Sequence, residues 1–226
     1  MRKHCASTGG SVMETLEPRR LCATGAWADA VTNPFMPLLP GMTWVYKGKK
    51  NGQSEKNPVV VLDATKRIMG VDCTIVLDRV YIAGKLEEKS YDWYAQDHFG
   101  NVWYFGEDTR EFNADGTVNN TDGSWEAGVS GNRPGIAMEA TPTVGDYYGQ
   151  EFAPPVAQDA ARVLSTKRHY ASPFMTSNNA IETVETSALE PGVAEVKFYA
   201  PGIGFLGGHT LSGEDTEVVK LVSFVP

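Results

Sequence analysis

Turn signals recur from Asn33 to the C-terminus at a spacing of roughly 10–15 residues, which leaves room for strands but not for long helices. Asn51-Gly52 and Asp115-Gly116 are dipeptides typical of tight turns between antiparallel strands. The segments between the turns are rich in β-branched and aromatic residues, as in Thr74–Tyr81. We therefore expect an all-β fold of about ten strands, an antiparallel β-barrel or strongly bent sheet of the lipocalin-like or envelope-lipoprotein-like kind. At most short helical turns are expected, with residues 156–164 as the candidate.

The first 32 residues differ in composition from the rest of the chain. They are rich in small residues and carry a slight positive charge, whereas the remainder holds the whole negative balance of a chain whose net charge is −8. We expect a disordered N-terminal sorting or tail segment over residues 1–32 and a single β-rich domain over residues 33–226. An acidic body disfavours nucleic acid as a partner. No run of about 18 apolar residues predicts a transmembrane segment.

The N-terminal segment contains Leu16-Glu17-Pro18-Arg19-Arg20-Leu21. This run resembles the LEPR-XLL segment found near the N-termini of many planctomycete proteins, which is associated with sorting or export. Cys22 stands where that pattern usually has a second leucine. The resemblance implies an extracytoplasmic location, in the periplasm, at the cell surface or secreted, and contact with export machinery through residues 13–21.

The body begins with a second recognisable run, Asn33-Pro34-Phe35-Met36-Pro37-Leu38-Leu39-Pro40-Gly41-Met42-Thr43-Trp44-Val45-Tyr46. Further runs of the same kind lie at 91–97, 100–109, 123–128 and 198–204. Together they resemble an uncharacterised family of bacterial exported or envelope proteins. The resemblance implies one exported domain and brings no established reaction with it.

Residues 87–126 combine acidic and aromatic residues. This window holds ten carboxylates against only Lys89 and Arg110, and so carries most of the negative charge of the body. Strand alternation places Asp92 and Tyr94 on one face and Trp93 on the other. We propose these side chains as ligand-binding candidates, with rings that stack and carboxylates that accept hydrogen bonds: Asp92, Trp93, Tyr94, Trp103, Glu107, Trp125 and Glu126.

Three interpretations of the window stay open. The aromatic rings could fill a barrel core, with the acids solvated at the strand ends. They could form a site for a small molecule or glycan. Two of the carboxylates could instead be the pair of a secreted glycosidase-like hydrolase, which needs carboxyl groups about 5–9.5 Å apart. We expect a binding or structural protein of the cell envelope that is not an enzyme, and we assign no catalytic residue.

No cofactor and no metal site are predicted, with calcium as the alternative that stays open. Oxygen ligands are plentiful at 97–101 and 115–122, but neither run has EF-hand spacing. The four histidines are scattered and the three cysteines form no Cys-x-x-Cys pair. Gly202-Ile203-Gly204 is not followed by a helical pattern, which argues against a nucleotide-binding loop.

Overall fold

The structure, a computed structural model, describes residues 26–226. In this part of the chain there are fifteen strands and no helix. The strands are β1 (Thr43–Lys50), β2 (Gln53–Ile68), β3 (Val71–Ile82), β4 (Lys85–Gln96), β5 (Val102–Phe112), β6 (Val118–Asn120), β7 (Trp125–Glu126), β8 (Arg133–Met138), β9 (Tyr147–Gly149), β10 (Glu151–Phe152), β11 (Asp159–Ala171), β12 (Thr176–Ser187), β13 (Ala194–Ala200), β14 (Gly204–Ser212) and β15 (Glu217–Val225).

The all-β prediction is confirmed, although the strands outnumber the ten expected. The additional ones are mostly pieces of two or three residues, such as β7 and β10, which are too short to show an alternating pattern. The helical turn considered for residues 156–164 is not present, because β11 already begins at Asp159. Among residues 26–226 no helix is long and apolar enough to cross a membrane.

All fifteen strands belong to one antiparallel sheet. Their order is β10-β8-β5-β4-β3-β2-β1-β15-β14-β13-β12-β11-β9, and β6 and β7 both pair with β5. The sheet curls into a nearly closed barrel, so that its two edges meet. The two edge strands, β9 and β10, are joined directly through Gln150, whose backbone N–H donates to the carbonyl of Asp159 in β11, at 2.7 Å. A barrel of this kind has an inner wall and an outer face, and side chains alternate between them along each strand.

Two glycines show how local sequence permits this sheet. Asn51 and Gly52 have φ values of 52° and 79°, the positive pair that a two-residue hairpin turn requires, as predicted. Gly106 in β5 has φ of 121°, and a Cβ there would lie 2.2 Å from the carbonyl oxygen of Trp125. Glycine at this position therefore lets β7 lie directly against β5.

The residues before β1 pack against the barrel. Asn33 is 2% exposed, and its amide nitrogen donates to the carbonyls of Gly100 (2.9 Å) and Glu139 (3.0 Å). Trp27 packs edge-on against Phe105, and Val31 is buried in the core. The packed part thus begins ahead of residue 33, where the sequence placed the start of the domain. Residues 1–25, with the run at 13–21, lie outside the described residues.

An apolar layer covers the outer face of β3–β5. Its members, which we call the outer cluster, are Trp27, Cys73, Trp93, Trp103 and Phe105. Cys73 is fully buried, as expected of a small hydrophobic side chain. On the opposite side of the barrel the β11–β12 hairpin bends over the sheet, and Tyr170 stacks on Phe198 with ring centroids 4.0 Å apart. Apolar side chains on the outer face thus contribute much of the packing.

Candidate ligand-binding lumen

The barrel encloses a space, which we call the lumen, whose wall changes from apolar to acidic along its length. The lumen is made of two adjoining main cavities of about 280 and 360 Å³, and a third of about 190 Å³ continues from the first beyond Tyr94 and Tyr199. The apolar end is lined by Met36, Leu38, Trp44, Val59 and Ile203. The acidic end is lined by Lys50, Glu55, Glu87, Glu88, Glu195 and Glu217. The two cavities share Asn57, Asp78, Lys197 and Phe205, which form the middle of the lumen.

Strand alternation explains how polar residues reach the interior. In β3 the alternate residues Val76 and Asp78 line the lumen, and in β13 Lys197 and Tyr199 do so. Each lies two residues from its inward neighbour, the period of a strand. The sequence thus places a carboxylate, an ammonium group and a phenol inside the barrel, where most small barrels place apolar side chains.

Lys197 shows how the lumen holds a positive charge. Its Nζ lies 2.7 Å from Oε2 of Glu185 and 3.6 Å from Oε2 of Glu195. The hydroxyls of Tyr199 (3.1 Å) and Thr183 (3.2 Å) donate to Oε1 of the same Glu185. Burial by itself would lower the pKa of Lys197, but the facing Glu185 carboxylate, with smaller contributions from its neighbours, holds the pKa well above its ordinary value. The amine is therefore charged inside the barrel.

Glu55, at the acidic end, lacks such a partner. Glu55 is only 6% exposed, and its Oε2 accepts no hydrogen bond from any residue that the structure describes. Burial, followed by the nearby charge of Glu217, raises the pKa of Glu55 to about 7. Burial likewise raises the pKa of Asp78 to about 7, although the Asn57 amide donates a hydrogen bond to it. Both carboxyl groups have lost most of their contact with water without gaining a full set of hydrogen bonds in return. Burial of this kind lowers the stability of the folded state.

Asp92 and Glu107 face each other across β4 and β5. Oδ1 of Asp92 accepts hydrogen bonds from Ser90 Oγ (3.0 Å) and from the Tyr104 hydroxyl (3.2 Å). Burial, and next the Glu107 charge, raises the pKa of Asp92 well above its ordinary range. Burial also raises the pKa of Glu107 to about 7, against the hydrogen bond that Thr109 donates to it. Tyr94 stacks on Tyr104 beside this pair, with centroids 4.7 Å apart.

The seven residues predicted from the sequence do not form one site. Asp92 and Tyr94 line the lumen, and Glu107 lies opposite Asp92. Trp93 and Trp103 belong to the outer cluster instead. This separation follows from strand alternation, which places Asp92 and Tyr94 on one face of β4 and Trp93 on the other, as the sequence predicted.

The last two predicted residues lie on opposite faces of β7: Trp125 is opposite Glu107 of β5 and shares its inner face, whereas Glu126 is on the outer face. Lys66 places its Nζ 3.3 Å above the Trp93 ring and 2.7 Å from Oε2 of Glu126. The ring of Trp125 is buried edge-on against Tyr104, at 5.5 Å. Trp93 and Glu126 therefore have intramolecular partners and do not face the lumen.

Several lumen residues lie outside the window that the sequence singled out. They are Lys50, Glu55, Asp78, Glu151, Glu185, Glu195, Lys197, Tyr199 and Glu217. A carboxylate inside an apolar run, as at Asp78 in Ile75-Val76-Leu77-Asp78, was the available signal. Glu151 extends the acidic wall beyond Tyr94, and burial, with the charge of Asp159 next, raises its pKa to about 8.

The run at 97–101 is a hydrogen-bonded turn. Asp97 Oδ1 accepts the backbone N–H groups of Phe99 and Asn101, and Oδ2 accepts the Asn101 amide and the Trp103 indole N–H, all at 2.9 Å. The carboxylate that could have bound calcium is thus used within the turn. Across residues 26–226 no group of three or more histidine, cysteine or carboxylate side chains is arranged to hold a metal ion.

Two solved structures resemble this chain. A protein of Bacteroides fragilis NCTC 9343, assigned as exported and with a YmcC-like fold, superposes with a TM-score of 0.51 at 13% identity, over 89% of this chain and 100% of its own. A protein of Parabacteroides distasonis ATCC 8503, assigned as a lipoprotein, gives a TM-score of 0.46 at 9% identity, over 88% and 100%. The first likeness supports the fold. No family model and no curated protein matches the chain, so the family resemblance of the motifs stays a prediction.

Proposed function

We propose that this protein is an extracytoplasmic binding protein, not an enzyme, which takes a small molecule into the lumen. The observation that carries the proposal is the open space of the lumen, bordered by buried carboxyl groups without full hydrogen bonding, above all Glu55. Such groups reduce stability, so their presence inside a barrel favours a binding role over a purely structural one.

An extracytoplasmic location is supported by two independent features. The run Leu16–Leu21 resembles a sorting segment. The fold is also shared with a protein of Bacteroides fragilis that is assigned as exported. Fractionation of the native host tests the location: the proposal expects the protein outside the cytoplasm, and a protein found only in the cytoplasm with residues 1–25 intact would contradict it.

Binding is tested by a thermal-shift screen of the full chain against neutral glycans, fatty acids and amines. A ligand at about 100 times its Kd stabilises the folded state by about 2.7 kcal/mol, which corresponds to a rise of roughly 5–11 °C in Tm for a domain of this size. The shift should shrink in Tyr94→Ala, which alters the lumen wall, and persist in Lys66→Ala on the outer face. If no compound of any class shifts the Tm, the binding proposal fails.

A glycosidase-like hydrolase is the second candidate, because Asp92 and Glu107 lie on adjacent strands. Hydrolysis requires one protonated carboxylic acid and one ionised carboxylate, and active sites separate the two pKa values for this purpose. Asp92, however, already accepts hydrogen bonds from Ser90 and Tyr104, and Glu107 one from Thr109, so both carboxyl groups are held by the protein itself and binding stays the first candidate. Release of nitrophenol from aryl glycosides by the wild type, lost in Glu107→Gln, would favour the hydrolase.

A further inference from the structure

We propose that the ligand of the lumen is an organic polyamine, a linear cation whose ammonium groups are separated by methylene chains. This inference rests on the proposed binding function and names its ligand class. It combines an ammonium group already held in the lumen, a buried carboxylate without a partner, and an acidic mouth.

Lys197 provides the internal precedent. Its ammonium group lies on the Glu185 carboxylate at 2.7 Å, and the Tyr199 hydroxyl orients that carboxylate. The Lys197 side chain keeps 32% of its exposure although the barrel surrounds it, because it borders open space. The lumen therefore binds one primary ammonium group already, with a carboxylate–phenol arrangement that a ligand amine could also use.

Glu55 marks a second position for a cation. Its Oε2 is buried and receives no hydrogen bond from the described chain, and Glu217 and Glu88 line the same cavity. Lys50 is the cation in this cavity that lowers the pKa of Glu55, but its ion pair is with another residue: its Nζ lies 3.3 Å from Oε1 of Glu87. A ligand ammonium group here would supply the donor that Glu55 lacks and would offset the repulsion between Glu55 and Glu217.

The mouth at this end of the barrel is acidic as well. A further depression of about 590 Å³ adjoins the acidic end and shares Lys50, Glu195 and Glu217 with it. Its rim adds Glu190, Glu214 and Asp215. A cleft lined by one sign of charge concentrates the opposite ion and accelerates its association. The field at the mouth thus favours entry of a cation and disfavours fatty acids or phosphorylated ligands.

The spacing of the carboxylates favours a polyamine over a metal ion as the ligand. In the described part of the chain no three carboxylate, histidine or cysteine side chains converge as metal ligands. The acids are spread along the lumen, from Glu55 through Asp78 to Glu151. Between them Tyr46 and Phe205 pack at 5.1 Å and offer apolar surface to methylene groups. A polyamine, whose ammonium groups are separated by methylene chains, therefore matches this wall better than a metal ion, which is a single point charge.

The test is calorimetric titration of the full chain with spermidine, at low salt and about pH 8, about one unit above the pKa of Glu55 and Asp78, so that both are largely ionised. Glu55→Gln is the lumen variant, because it keeps the shape and removes one charge. Glu126→Gln is the matched control, since Glu126 pairs with Lys66 on the outer face. Magnesium chloride and 1,8-octanediol, a neutral chain of similar length, are the comparison ligands, and thermal melts confirm that both variants fold.

We expect spermidine to bind with one molecule per chain. Its affinity should fall about tenfold in Glu55→Gln, the loss expected for one charge-assisted contact, and stay within about twofold in Glu126→Gln. Equal binding to all three proteins would reveal surface attraction only and overturn the inference, and so would magnesium binding as tightly as spermidine. If octanediol, a glycan or a fatty acid from the screen binds in the lumen and spermidine does not, the ligand class is wrong while the binding function stands. If nothing binds, both proposals fail.

Discussion

The two faces of β4 and β5 come from the same stretch of sequence and have opposite character. Outward, Trp27 packs on Trp103 and Phe105, and Lys66 lies over the Trp93 ring. Inward, Asp92 and its neighbours border open space. The outer face is closed by apolar packing, although the buried indole N–H of Trp27 has no hydrogen-bond partner among the described residues. The inner face carries carboxyl groups whose burial is only partly compensated by hydrogen bonds and opposite charges. The strand pair β4–β5 thus contributes to stability through its outer face and forms part of the proposed binding site with its inner face.

The largest expected effect is on the outer face. Phe105 is 1% exposed and packs edge-on against Trp27. Phe105→Ala removes a large buried ring and leaves a cavity, so we expect a loss of about 3–5 kcal/mol in the free energy of unfolding. Tyr94→Phe in the lumen keeps its stacking on Tyr104 and should cost less than about 1 kcal/mol. Urea melts measure both, and equal losses would remove the distinction between the faces.

The next largest loss in the free energy of unfolding is expected for Lys197→Met in the lumen. The variant leaves the Glu185 carboxylate without its ammonium partner, so we expect a loss of about 2–3 kcal/mol. Because the vacated position is the one an ammonium ligand would use, spermidine should raise the Tm of Lys197→Met more than that of the wild type. A variant as stable as the wild type, with no larger response to spermidine, would contradict this account of the lumen.

The lumen also predicts a pH dependence. Burial, reinforced by Glu217, Glu87 and Asp78 and opposed by Lys50, raises the pKa of Glu55 from 4.5 to about 7, so the folded state binds this proton more tightly than the unfolded state. The stabilisation is complete below about pH 4.5 and is lost as the pH rises through about 7.

We therefore expect unfolding free energies of the ligand-free protein to fall between about pH 5 and 8, by up to about 1.4 kcal/mol per pH unit for each such carboxyl group. Urea melts across this range measure the slope. It should be shallower in Glu55→Gln and unchanged in Glu126→Gln. A wild-type slope that Glu55→Gln leaves unaltered would show that Glu55 is not desolvated.

The smallest expected effect is that of Lys66→Ala on the outer face. The cation–π contact with Trp93 and the ion pair with Glu126 are both partly exposed, and together they should contribute about 0.5–1 kcal/mol. Spermidine affinity should not change, since Lys66 does not line the lumen. A marked change in affinity would mean that the two faces are coupled.

The sequence allowed the fold class to be predicted because turn dipeptides and β-rich segments are local signals, as Asn51-Gly52 shows. It also pointed to part of the lumen wall, through Asp92, Tyr94 and Glu107. The rest could not be predicted in the same way. Lys197 lines the same cavity as Glu55 and Asp78 only because strands distant in the sequence close into a barrel, and no local pattern encodes that closure. Trp93 and Trp103 were wrongly grouped with the lumen residues because aromatic side chains fit either face of a strand.

The central claim is that carboxyl groups in the lumen are desolvated and lack a cation that a ligand can supply. Carboxyl ¹³C NMR of the glutamate-labelled protein, with the Glu55 signal assigned by its loss in Glu55→Gln, tests this claim most directly. The account predicts that Glu55 titrates near pH 7 in the ligand-free protein and at a lower pH once spermidine is bound, because a nearby ammonium group favours the carboxylate. Titration near its ordinary value of 4.5, unaffected by spermidine, would contradict it.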